Sequence, residues 1–265
     1  MSERDGFQAG VPCWVDTWQA DADAAADFYS ALFGWECEGE AGGPYMCRLR
    51  GRDVAMVGQL PPEHAHRPAA WMTNVQVDDA EETAARVREA GGSVPLGPFD
   101  AMDGGMIAVV ADPAGAHLSL WELGGHKGAQ VVNEPGAWSW TQLHTTDPEG
   151  AKGFYARVFG WETEMFGEGD DAATMFKVPG YHGGEPEQPV PRDVVAGMAP
   201  PAEAGDFPHW LIDFWVDDVD ATVATATERG GRAVAGPEDG DFFRQAVIAD
   251  PAGAAFSITK ITIGE

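Results

Sequence analysis

The chain has 265 residues, 43 acidic against 16 basic, and a formal net charge of −27 at pH 7. So negative a surface repels a phosphate backbone, which excludes nucleic acid as a partner. No apolar run approaches the roughly 18–20 residues of a membrane span. The opening Met-Ser-Glu-Arg-Asp-Gly lacks a basic-then-apolar leader. Three cysteines, Cys13, Cys37 and Cys47, with no CxxC pair indicate neither a disulfide framework nor a zinc finger, and a reducing, cytoplasmic home is expected. The acids either serve solubility alone or draw in a cationic small molecule.

In chain order, Cys13–Trp18 alternates and reads as a strand. Asp21 or Asp23 caps a helix ending at Phe33, and Gly34 suits its left-handed stop. Strands follow over 35–38, 45–49 and 54–59. A second unit opens with a strand over 71–77, a helix capped by Asp78 or Asp79, and Gly91-Gly92 to end it. Met106–Ala111 and His117–Leu123 form a hairpin, because Asp112-Pro113-Ala114-Gly115 has type I turn preferences. Residues 124–136 read as a Gly-rich linker.

The pattern then restarts. Phe28-Tyr29, followed by Phe33-Gly34-Trp35-Glu36, recurs as Phe154-Tyr155 and Phe159-Gly160-Trp161-Glu162, an offset of 126. Trp138–Thr145 is a strand, and Asp147 caps a helix with Pro148 at its first position. Val77-Asp78-Asp79 recurs as Val216-Asp217-Asp218, and the first hairpin turn as Asp250-Pro251-Ala252-Gly253. A Pro-rich insertion over 179–192 has no counterpart in the first half. The order is four β-α-β-β-β units in two domains, 11–123 and 137–262.

These repeats, with FY…FGW after the first helix of each half and DPAG in each final hairpin, make the chain resemble the vicinal oxygen chelate superfamily: glyoxalase I, extradiol dioxygenases, fosfomycin resistance enzymes and bleomycin-binding proteins. The resemblance implies an α+β fold of two tandem domains, with curved mixed sheets, helices outside, and the ligand or metal on the concave face. Strand alternation then gives the inward side chains. They are Trp14, Asp16 and Trp18, Met72, Asn74 and Gln76, and His117, Ser119 and Trp121 in the first domain. In the second they are Trp140, Gln142 and His144, Leu211, Asp213 and Trp215, and Ala255, Ser257 and Thr259.

Metal-dependent relatives carry a His or Gln 14 residues before the helix phenylalanine. Here that position is Trp14 and Trp140; the next ligand falls on Met72 and Leu211, and the final glutamate on Ser119 and Ser257. Indole has no lone pair for a cation, so no metal and no other cofactor is expected. A cavity without metal works by shape, stacking and hydrogen bonds. Its acid–base candidates are Asp16 with His117 in the first domain and His144 with Asp213 in the second. The alternative assignment for the tryptophans is core packing, and for the histidines a satisfied hairpin end.

Three functions stand open. One is a metal-independent enzyme acting on a small aromatic, natural-product-like molecule, as in antibiotic biosynthesis. Another is a binding protein that sequesters a cationic or planar drug. The third is a glyoxalase-type detoxifier of 2-oxoaldehydes. Four units in one chain supply the pairing that shorter relatives obtain by dimerising, so a monomer is expected, with a homodimer the alternative.

Overall fold

A computed structural model describes residues 3–167, 173–183, 191–200 and 207–262. Part of the Pro-rich insertion, 184–190, lies outside the described residues. The first half runs β1 (Pro12–Gln19), α1 (Ala22–Phe33), β2 (Glu36–Glu38), β3 (Tyr45–Leu49), β4 (Arg52–Gln59), β5 (Ala70–Gln76), α2 (Ala80–Glu89), β6 (Ser93–Asp100), β7 (Gly105–Ala111) and β8 (His117–Leu123). The second repeats it: β9 (Trp138–His144), α3 (Pro148–Phe159), β10 (Glu162–Phe166), β11 (Ala173–Lys177), β12 (Val194–Ala199), β13 (His209–Trp215), α4 (Val219–Glu228), β14 (Arg232–Asp239), β15 (Phe243–Ala249) and β16 (Ala255–Ile261). Among the described residues, no helix is long and apolar enough to cross a membrane.

Each helix starts on an aspartate that satisfies an otherwise unpaired N–H. Asp21 accepts from Ala24, Asp79 from Glu82, Asp147 from Gly150 and Asp218 from Ala221. Gly34 and Gly160 end α1 and α3 at φ 69° and 72°, a conformation that favours glycine.

Each half forms one eight-stranded mixed sheet, ordered β2-β3-β4-β1-β5-β8-β7-β6 and β10-β11-β12-β9-β13-β16-β15-β14. At each centre, β1 runs parallel to β4 and antiparallel to β5, and β5 parallel to β8; β12, β9, β13 and β16 do the same. Where the sequence assigned strand bounds, the observed ends fall within two residues of them.

The helices pack on one face of each sheet, and that face is turned toward the other half. α1 packs against α4, and α2 against α3. Both hydrophobic cores therefore span the halves: one joins Phe28, Tyr29, Phe33 and Trp71 to Phe214, Phe256 and Ile258, the other Val87 and Leu120 to Phe154, Tyr155 and Trp210. Two buried bonds repeat this exchange. The Tyr29 hydroxyl accepts from Trp71 and donates to Asp250 at 2.8 Å. Tyr155 accepts from Trp210 and donates to Asp112 at 3.1 Å. Each repeated tyrosine thus reaches the hairpin aspartate of the opposite half, and Thr73 and Thr141 meet between the sheets at 2.8 Å.

One expectation is overturned. Cys37 and Cys47 form a disulfide, because the β2–β3 register sets them directly opposite each other. The odd cysteine is Cys13, fully buried, its thiol pushed well up by desolvation.

Candidate functional site

The sheet face away from the helices is the open face of each half. On the first, register places Met46, Met56, Asp16 and Met72 in one row, and Trp14, Asn74 and Ser119 in the next. Asp16 is buried, and its Oδ2 accepts from Asn74 Nδ2 at 2.6 Å. Desolvation raises its pKa to about 6, against the opposing hydrogen bonds from Asn74 and Trp18. Trp18 is 43% exposed. Its ring lies flat over Gly58, where an added Cβ would meet it at 2.7 Å. A carboxyl raised by burial to about 6 therefore accepts from an exposed indole and shares its row with thioether side chains that adapt to irregular ligands.

His117 does not join Asp16. It stands exposed at the start of β8, two strands from β1 and so roughly 10 Å away. The histidine near this face is His126, from the stretch read as a linker. Its ring stacks on Trp121 at 5.3 Å and meets Trp14 edge-on at 4.7 Å. Its Nδ1 accepts from the Gly128 N–H at 3.2 Å, which puts the proton on Nε2, 3.3 Å from Asp53 Oδ2. Burial lowers its pKa, and Asp53 and Asp103 oppose that. Trp14 and Trp121 are therefore packed inside, and Trp121 donates to Gly104 O. Gln76 lies half-buried beside Trp121. A Gly-rich stretch carries no periodicity, so nothing in the sequence marked His126.

The second open face has the same frame with its polar groups exchanged. Gln142 occupies the place of Asp16, and Asp213 that of Asn74. Asp213 accepts from Ser257 and Thr259 at 2.6 Å each and from Ser139 at 2.9 Å. Burial raises its pKa and these hydroxyls oppose it. His144 is not its partner. Asp213 pairs with Trp140, four residues along β9 and so roughly 13 Å from His144. His144 stacks on His209 at 5.0 Å and binds Pro200 O. Trp140 and Gln142 lie over Gly197, which stands where the first half has Met56. Leu211 and Trp215 are half-buried in this face.

The model of the Glyoxalase-like domain matches twice, at residues 14–121 and 140–259. The chain belongs to the glyoxalase-like family. A Mycobacterium tuberculosis protein named "Putative glyoxylase CFP32" is 36% identical over 267 residues, 98% of each chain. "Anthracycline biosynthesis protein DnrV" of Streptomyces peucetius is 34% identical over 274 residues, 97% of this chain and 96% of that one. Among solved structures, the Mn(II)-bound glyoxalase from Novosphingobium aromaticivorans superposes with TM-score 0.63 at 17% identity, over 95% of this chain and 82% of that one. The 2,3-dioxygenase LapB from Pseudomonas sp. KL28 gives 0.61 at 13%, over 96% and 93%. At such identities these two share the fold.

A metal at the superfamily's usual place does not fit this glyoxalase-like chain. Trp14, Met72 and Ser119, and Trp140, Leu211 and Ser257, offer indole, thioether, alkyl and hydroxyl groups where several strong N or O donors must converge. The nearest carboxyls, Asp16 and Asp213, are engaged by side-chain donors instead.

Proposed function

We propose that the first open face binds a flat organic molecule and that Asp16 handles a proton on it without a metal. The observation that carries this is the burial of Asp16 beside Asn74, which brings its titration to about 6. A proton-transfer group works best with a pKa near the working pH. Trp18 offers a ring face to an aromatic ligand, and Met46, Met56 and Met72 supply adaptable apolar contact. Asp213, held by three hydroxyls, makes the second face the less reactive one. The kinship with DnrV supports a polycyclic aromatic ligand of the kind handled in antibiotic biosynthesis. The acidic surface favours a cationic one.

The test is turnover. An anthracycline intermediate incubated with chelator-treated protein is converted by wild type and by Asp213→Asn, and at least about 100-fold more slowly by Asp16→Asn. Unchanged turnover in Asp16→Asn would end the assignment of Asp16.

One observation favours a second reading, binding without chemistry: among the described residues, the side chains that hydrogen-bond Asp16 are those of Asn74 and Trp18, and neither titrates. Recovery of the bound molecule unaltered, with its binding weakened in Asp16→Asn, identifies sequestration.

A further inference from the structure

The row that holds Asn74 continues across the open face of the first sheet. Register carries it from Asn74 through Ser119 and Val109 to Leu96 on β6. The row beside it runs from Trp121 through Ile107 to Phe99. Their neighbours Ala108, Val110, Leu118 and Leu120 turn the other way, into the core shared with α2. Val109 and Ile107 are half-buried, while Leu96 is 56% exposed and Phe99 41%. The outer wing of this face is therefore apolar and meets water.

The second sheet shows that the frame does not require such a wing. Its register puts Ala235 where the first half has Leu96, Gln245 where it has Ile107, and Glu238 where it has Phe99. Thr259, in the place of Trp121, accepts from Gln245 at 3.2 Å. The same eight strands thus fold with small or polar side chains at these positions. Apolar ones stand only in the half that holds Asp16. Exposed apolar surface next to a polar site marks a place where something apolar is bound. Leu96, Phe99 and Met102, just beyond β6, fall far short of the roughly 20–30 residues a side that a stable protein interface needs. A single organic molecule suits them better. The row is continuous with Asn74, which donates to Asp16 at 2.6 Å, and Leu96 lies three strands from Asn74, roughly 14 Å along the sheet.

We propose that Leu96 and Phe99 select an elongated ligand, with a flat polar end at Asp16 and an apolar end, of rings or alkyl, lying on the β6–β7 wing. This rests on the reading of Asp16 as the partner of the polar end. Equilibrium dialysis of the full chain against 2-naphthol and 6-hexyl-2-naphthol tests it. Wild type is expected to bind the hexyl compound at least about tenfold more tightly, since each buried methylene adds to affinity. Leu96→Ala with Phe99→Glu, which gives the first half the side chains of the second, erases that preference and leaves 2-naphthol binding as it was. Both positions are exposed and both replacements already stand on this frame, so the variant folds. Val234→Ala, at an exposed apolar residue of the other sheet, keeps the preference. Asp16→Asn weakens both probes alike. If both affinities survive Asp16→Asn while the double variant still loses the preference, the role of Asp16 falls and the selection by the wing stands. An equal preference in wild type and the double variant, or no binding of the hexyl compound to wild type, overturns the proposal. So does a wild-type dimer in sedimentation that the double variant dissolves, which gives the patch to a second copy.

Discussion

Asp16 is protonated across a range in which an exposed aspartate is charged, and this makes a pH prediction. Its folded pKa, about 6, lies above the ordinary 3.8. Below pH 3.8 both folded and unfolded chains hold the proton. As pH rises toward 6, the unfolded chain releases it first, so the buried group costs stability, up to about 3 kcal/mol above pH 6. Asp16→Asn is therefore expected to raise Tm at pH 7.5, with the gain vanishing near pH 4; a constant difference across that range contradicts the shift. Alternation marked Asp16, Asn74 and Trp18 correctly as sharing one face, because register follows from a period of two. Their pairing with His117 was not legible, since alternation gives the face of a side chain and not its distance along the strand. His126 was illegible for the reason that it belongs to no regular element.

At the scale of elements, Gly58 matters because Trp18 lies on it. Gly58→Val is expected to displace the Trp18 ring and weaken aromatic ligands at least about tenfold, since stacked rings need the plane intact. A Kd unmoved by this change would remove Trp18 from the site. The Cys37–Cys47 bond clips β2 to β3 at a sheet edge, closing a short loop. Cys37→Ser with Cys47→Ser is expected to cost about 2–3 kcal/mol in non-reducing denaturant unfolding, and wild type in reductant should match it. The turn and the cap of α3 were plain in the sequence, and the caps of α1 and α2 were narrowed to two aspartates each, of which Asp21 and Asp79 serve. The disulfide was not, because cysteine parity says nothing about which strands lie side by side.

For the whole molecule, the repeated Phe-Tyr was legible only as the mark of a chain repeat. Its second duty was hidden, since the partner of Tyr29 lies 221 residues away. The Tyr–Asp exchange and the shared cores make the halves one cooperative unit. Denaturation is expected to show a single transition, with Tyr29→Phe and Tyr155→Phe each costing about 1.5–3 kcal/mol and nearly additive, as they sit in separate cores. Two resolved transitions would contradict this. Within that unit the halves differ: the first sets its buried carboxyl beside Asn74, and the second ties its own to three hydroxyls. Calorimetric titration of chelator-treated protein with an anthracycline tests that division most directly. We expect full binding without metal, a loss of about tenfold or more in Asp16→Asn, and no change in Asp213→Asn. Binding that appears only when a divalent ion is restored, or that follows Asp213 rather than Asp16, would contradict it.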